Sequence, residues 1–187
     1  MKRLFAAFKI HPDPEFLATY RKLQLAMKYH QIKWVEERNI HITLKFFGDT
    51  PETQIPGLSR LFSSVALHTP PFDLRLHGLG LFGSRYDPRV IWTGIEPFHT
   101  LAGLMQKIAG NLIQAGYPPD RQNLVPHLTL GRIRSVRDRA LFDEALDQFR
   151  HISSSPIKLD EIILFESILH REGPEYIALD HFRLKGD

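Results

Sequence analysis

Two four-residue phrases in this 187-residue chain could do chemistry together: His41-Ile42-Thr43-Leu44 and His127-Leu128-Thr129-Leu130. In each, polar and apolar residues alternate with a period of two, and the apolar ones are β-branched or large. That is the pattern of a strand with one face in a core. The imidazole and the hydroxyl then share one face, roughly 6.5 Å apart, while the two aliphatic residues anchor the other. Of the chain's 10 histidines, only these two have threonine two places on and apolar residues at both alternate positions. A single His-x-Thr is ordinarily a histidine at a polar edge. Two matched copies, one in each half, point to a shared purpose.

An imidazole has a reference pKa near 6.5, so at neutral pH one can act as base while its neighbour, held protonated, acts as acid. Hydrolysis of a phosphodiester needs both roles. Water must lose a proton as it attacks phosphorus, and the departing oxygen must gain one. Threonine hydroxyls can donate to the non-bridging oxygens as charge develops, and a β-branched side chain keeps them aimed. Metal assistance is the rival. Metal sites combine His with Asp, Glu or Cys, yet neither strand has a carboxylate beside its histidine; the nearest, Asp49, lies past a glycine. The residues favour acid–base chemistry with no metal and no cofactor.

The elements that must position these strands follow a repeated pattern. Arg3–Ile10 reads as a strand, followed by a helix over about Glu15–Tyr29 with Phe16, Leu17, Tyr20, Leu23 and Met27 on its apolar side. A short strand near Ile32–Val35 precedes the first His-Thr strand, which ends at Gly48-Asp49. Thr50-Pro51 reads as cap and first residue of a helix carrying Ile55, Leu58, Leu61, Phe62 and Val65. Phe72–Phe82 and Arg89–Ile95 alternate as strands around the loop Gly83–Pro88. A third helix, striped by Leu101, Leu104, Met105, Ile108, Leu112 and Ile113, closes at Gly116, where a left-handed C-cap belongs. Pro118-Pro119-Asp120 leads into the second His-Thr strand. Ser135 reads as the cap of a fourth helix, and two final strands, Ile157–Ser167 and Glu175–Phe182, are joined through Glu172-Gly173-Pro174.

The pattern reads as α+β and bilobal: two pseudo-symmetric lobes, each with strands and two helices around one His-Thr strand, facing each other across a central cleft. Residues 1–187 are read as one domain of two interleaved lobes. Hydrophobic residues at 43% and charged residues at 24% are ordinary for a globular chain. With no cysteine, disulfides and thiolate metal sites are excluded. The formal charge of +3 permits an anionic partner such as RNA without demanding one. No stretch is long enough to cross a membrane, and the basic-apolar start is cut short by Lys9, so it reads as a strand and not as a signal peptide. A cytoplasmic monomer is the expectation.

The twin phrases resemble the HxTx signature of the two-histidine (2H) phosphoesterase superfamily, in its RNA 2′,3′-cyclic phosphodiesterase branch, also called the 2′-5′ RNA ligase family. The likeness extends to Arg3-Leu4-Phe5-Ala6-Ala7, Trp34-Val35, Asn39, Leu44-Lys45-Phe46-Phe47-Gly48, Arg89-Val90-Ile91-Trp92, Pro126, Leu130-Gly131-Arg132 and Leu164-Phe165-Glu166-Ser167. It departs at Glu37-Arg38, where relatives often carry Pro-Glu. The resemblance implies two antiparallel sheets facing a cleft and metal-independent hydrolysis of a terminal RNA 2′,3′-cyclic phosphate to a 2′-phosphomonoester. It further implies that His41 donates a proton to the leaving 3′ oxygen, that His127 accepts one from water, and that Thr43 and Thr129 hold the phosphate. Run backwards, the same site would form a 2′-5′ linkage.

Three features sit beside the motif. Arg132 suits a phosphate clamp, but by parity it points away from His127; a bulge at Gly131 would turn it into the cleft, and without one it is a surface arginine. Lys45, in register with His41 and Thr43, would attract phosphate or be simply solvated. Phe82 and Tyr86 could stack on a base, and Arg134, Arg137 and Arg139 could guide a backbone or be a solvated face. Two other readings remain: a relative acting on another small cyclic phosphate or a 2′-5′ linkage, and an RNA-binding module without turnover.

Overall fold

The computed structural model describes residues 1–84, 86–119 and 125–186. Arg85 in the expected loop and Asp120 in the approach to the second motif lie outside the described residues. Among the described residues, nine strands and four α-helices follow in the order β1 (Lys2–Lys9), α1 (Pro14–Ala26), β2 (Gln31–Trp34), β3 (His41–Thr50), α2 (Ile55–Leu67), β4 (Phe72–Gly83) and β5 (Pro88–Glu96). They continue with α3 (Phe98–Gln114), β6 (Leu128–Ser135), α4 (Arg139–Gln148), β7 (Ile157–Leu159), β8 (Glu161–Leu169) and β9 (Pro174–Arg183).

The strands form two antiparallel sheets, ordered β3-β1-β8-β9 and β2-β6-β5-β4-β7. The chain alternates between them, since β2 lies in the second sheet while its neighbours β1 and β3 lie in the first, and β8 and β9 return to the first. Each sheet carries one motif strand, and β3 and β6 approach each other between the sheets. The mixed α+β architecture with two antiparallel sheets is the one the family resemblance implied.

The aliphatic residues of both motifs are fully buried: Ile42, Leu44, Leu128 and Leu130 each expose 1% or less. One continuous core takes them in with Phe16, Tyr20 and Leu23 of α1, Leu58 and Phe62 of α2, and Leu101 and Ile108 of α3. α1 begins as its sequence suggests, with Asp13 accepting from the Phe16 amide and Pro14 in the first turn. α3 closes at Gly116, which adopts φ +88°, and the Tyr117 amide reaches back to the Leu112 carbonyl.

The first helix ends at Ala26, short of the expected Tyr29, and three further boundaries fall elsewhere than the pattern suggests. Thr50 belongs to β3, its hydroxyl donating to the Gly48 carbonyl, and a short 3₁₀ turn at Glu52–Gln54 precedes α2. Ser135 ends β6, and the cap of α4 is Asp138, which accepts from the Leu141 amide. The single long strand read at Ile157–Ser167 is two. β7 pairs with β4 in one sheet and β8 with β1 in the other; only Asp160 separates the two apolar stretches, so the sequence hides the crossing.

Candidate active site

β3 and β6 carry the same irregularity at the same motif position. On β3, Thr43 opposes Ala7 and Lys45 opposes Ala6, so Leu44 is an extra residue in the ladder. On β6, Thr129 opposes Trp92 and Gly131 opposes Ile91, so Leu130 is extra. A bulge reverses the parity beyond it. On β6 this brings Arg132 onto the Thr129 face, with Ile133 turned back to the core. The bulge needed to turn Arg132 to the cleft is present, at Leu130 and not at Gly131. On β3 the same bulge turns Lys45 away, opposite core-facing Ala6, and brings Phe46 to the cleft beside Phe5. Lys45 therefore does not line the cavity, and simple alternation misplaces it.

Gly131 permits the close crossing beside this bulge, because a Cβ there would come within 2.8 Å of both Ile32 and the Trp34 ring.

His41, Thr43, Thr129 and Arg132 line one cavity of about 440 Å³. His127, just ahead of β6 and two residues before Thr129, is not among the side chains that line it. Its charge nevertheless reaches His41, and the Arg132 guanidinium reaches both imidazoles. The two strands, far apart in the chain, thus present their polar faces to one space.

Both imidazoles are held alike. Nδ1 of His41 lies 2.6 Å from the Asn39 carbonyl, and Nδ1 of His127 lies 2.7 Å from that of Val125. A carbonyl can only accept, so each ring carries its proton on Nδ1 and leaves Nε2 for chemistry. Each ring also rests against two aromatic side chains. For His41 they are Phe5 at 5.1 Å and Tyr176 at 5.2 Å; for His127 they are Phe82 at 4.7 Å and Trp92 at 6.2 Å. Phe82 thereby packs on His127 and on Trp92, while Tyr86 is 94% exposed.

This housing sets the titration. Burial first, then the charges of Lys9, Arg132 and His127, lower His41 to about 4, against the opposing pull of the Asn39 carbonyl. Burial, with Arg132, also lowers His127. The protein's own groups therefore favour two neutral imidazoles, and not one held protonated as the bare motif suggested. A phosphate anion between the rings would supply the missing counter-charge, coupling proton uptake to binding.

The turn before His41 escaped the sequence reading as a positioning element. Lys9 donates to the Arg38 carbonyl, and the Asn39 side chain donates to the Pro174 carbonyl at 3.0 Å. Arg21 grips Glu37 through two nitrogens at 2.7 and 2.8 Å. These contacts fix the carbonyl that orients His41. Of the arginine run after the second motif, Arg132 alone lines the cavity; Arg139 pairs with Asp143 at 2.9 Å. Among the described residues no three His, Asp or Glu gather closely enough to hold a metal ion, and no helix is long and apolar enough to cross a membrane.

Two antiparallel sheets that each lend one His-x-Thr strand to a common cleft define a two-histidine phosphoesterase. The model of the LigT-like phosphoesterases matches residues 10–92 and 96–176, and the chain belongs to that family. Among its relatives, the protein named RNA 2′,3′-cyclic phosphodiesterase of Aquifex aeolicus is 34% identical over 156 residues, covering 82% of each chain. The one of that name from Methanothermobacter thermautotrophicus is 32% identical over 154 residues, covering 82% of this chain and 83% of its own. A crystal structure of the Thermus thermophilus protein TT0787 superimposes with a TM-score of 0.79 at 25% identity, over 99% of both chains.

Proposed function

We propose that the protein hydrolyses the 2′,3′-cyclic phosphate at the end of an RNA to a 2′-phosphomonoester, by acid–base catalysis without a metal. The observation that carries this reading is the convergence of His41, Thr43, Thr129 and Arg132 on one cavity, with His127 within electrostatic reach. Relatives over 30% identical along four-fifths of the chain bear the name of that activity.

In this mechanism Arg132 and the two threonines hold the non-bridging oxygens of the cyclic phosphate. Nε2 of neutral His127 takes a proton from the attacking water as its oxygen bonds to phosphorus. The bond from phosphorus to O3′ breaks, and His41 gives its proton to that oxygen. His41 acquires the proton when the substrate anion offsets the cost of charging a buried ring. With the roles unchanged, a 5′-hydroxyl in place of water would give its proton to His127 and join to the cyclic phosphate as a 2′-5′ linkage, O3′ again leaving with the proton of His41.

The test is incubation with an oligonucleotide ending in a 2′,3′-cyclic phosphate, in EDTA, with the product phosphate located by NMR. A 2′-phosphate formed undiminished in EDTA is expected. A 3′-phosphate would reverse the assignment of the leaving oxygen, and loss of activity to the chelator would overturn the metal-free mechanism. Turnover only of other cyclic phosphates or of 2′-5′ linkages, or binding without turnover, would establish one of the alternative readings.

A further inference from the structure

Lys33 and Arg132 face each other directly across the β2–β6 ladder. Ile32 and Trp34, on either side of Lys33, pack against the core, so Lys33 points the opposite way, to the face where the bulge has brought Arg132. Both cations line the cavity. Like charges directly opposite on one sheet face destabilise the ladder. Among the described residues neither is paired with a carboxylate. Glu36, the acidic residue near Lys33 in the same wall, commits Oε2 to Nε of Arg38 at 2.6 Å. Local conflicts of this kind are expected where a site must meet its ligand.

A cyclic phosphodiester carries a single negative charge, and Arg132, beside both histidines, meets it. Lys33 remains, one strand further out, in a cavity whose volume suits a whole nucleotide better than a phosphate alone. We infer that Lys33 forms a second phosphate subsite beside the catalytic one, taking the phosphate on the 5′ side of the terminal nucleoside. This rests on the activity proposed above and narrows its substrate: nucleotides carrying both a 2′,3′-cyclic phosphate and a 5′-phosphate are preferred to a nucleoside cyclic phosphate alone. The 5′-phosphate can come from an internucleotide diester or from a terminal monoester; both present the same anionic oxygens to the ammonium group.

The experiment compares kcat/KM for adenosine 2′,3′-cyclic phosphate, its 5′-phosphorylated form, and a diadenylate ending in the cyclic phosphate. One charge-assisted contact predicts that the substrates recognised through Lys33 exceed the first by about tenfold. Lys33→Ala should erase that advantage while leaving the first substrate unchanged, and Lys33→Arg should retain it. The log–log salt dependence for the diadenylate should become shallower by about one in Lys33→Ala. An advantage seen with the diadenylate alone assigns the subsite to the diester link; one seen with the 5′-phosphorylated nucleotide alone assigns it to the monoester. An advantage that survives Lys33→Ala, or an equal fall on all three substrates, overturns the subsite. If the wild type turns over none of them, the proposed activity fails on its own account. The subsite is then decided by calorimetry with adenosine 2′-phosphate and adenosine 2′,5′-bisphosphate: Lys33→Ala must weaken only the bisphosphate, and equal binding of the two by the wild type sinks it.

Discussion

His41 and His127 each present Nδ1 to a carbonyl two residues back, each lie against two aromatic rings, and each precede a threonine and a bulged leucine. Their surroundings differ. His41 begins β3, lies in the cavity wall behind a turn pinned by Lys9 and Asn39, and is lowered to about 4. His127 precedes β6, is not among the side chains lining the cavity, and rests on a ring pair set by β4 and β5. Beyond the bulges the halves diverge in chemistry, with Phe46 in one and Arg132 in the other. The local motif supplies two like imidazoles; their unequal packing and the single arginine distinguish the two halves, and in the proposed mechanism that difference separates acid from base.

The largest effect should come from the rings themselves. His41→Ala or His127→Ala should each lower turnover at least about a hundredfold with the fold intact. Near-normal turnover in either one, measured with the cyclic-phosphate RNA, would break the pairing of the half-sites. Thr43→Ala and Thr129→Ala should each cost about tenfold, the loss of one charge-assisted donor; a loss confined to one of them would show that the phosphate leans on a single strand.

A third change separates the halves by packing. Gly80 has no room for a side chain, since a Cβ would lie 2.1 Å from the Trp92 ring. Gly80→Ala must displace the indole that backs His127, with an overpacking cost of about 1–3 kcal/mol. Lower kcat with the His41 side untouched is the expected kinetic result, and an unchanged pH profile for His127 would contradict its dependence on this ring.

Acidity sharpens the contrast further. Both free-enzyme imidazoles lie below 6.5, so both limbs of the kcat/KM profile should fall on the acid side of 6.5. Activity falls at low pH as the base becomes protonated and at higher pH as the acid loses its proton. Stability follows a related rule. Between about 4 and 6.5 the unfolded chain binds a proton at position 41 that the folded chain refuses, so stability is full above 6.5 and declines as pH falls toward 4. His41→Asn should flatten that slope by on the order of 2 kcal/mol across the window, read from denaturant unfolding at several pH values.

Much of the site was legible in the chain because strand alternation is local. The spacing of His41 with Thr43 and of His127 with Thr129, the burial of Ile42, Leu44, Leu128 and Leu130, and the glycine cap at Gly116 all follow from backbone geometry within a few residues. Legibility stopped where a neighbouring strand decides. Whether Arg132 or Lys45 reaches the cleft depends on bulges defined by β1 and β5, which no spacing within β3 or β6 reveals. The split of β7 from β8 and the meeting of Lys33 with Arg132 depend likewise on which strands pair. The sequence alone determined which groups could carry protons and hold an anion. Only the tertiary structure decided which of them share a space and how burial and charge set their pKa values, because those quantities depend on neighbours distant in the chain.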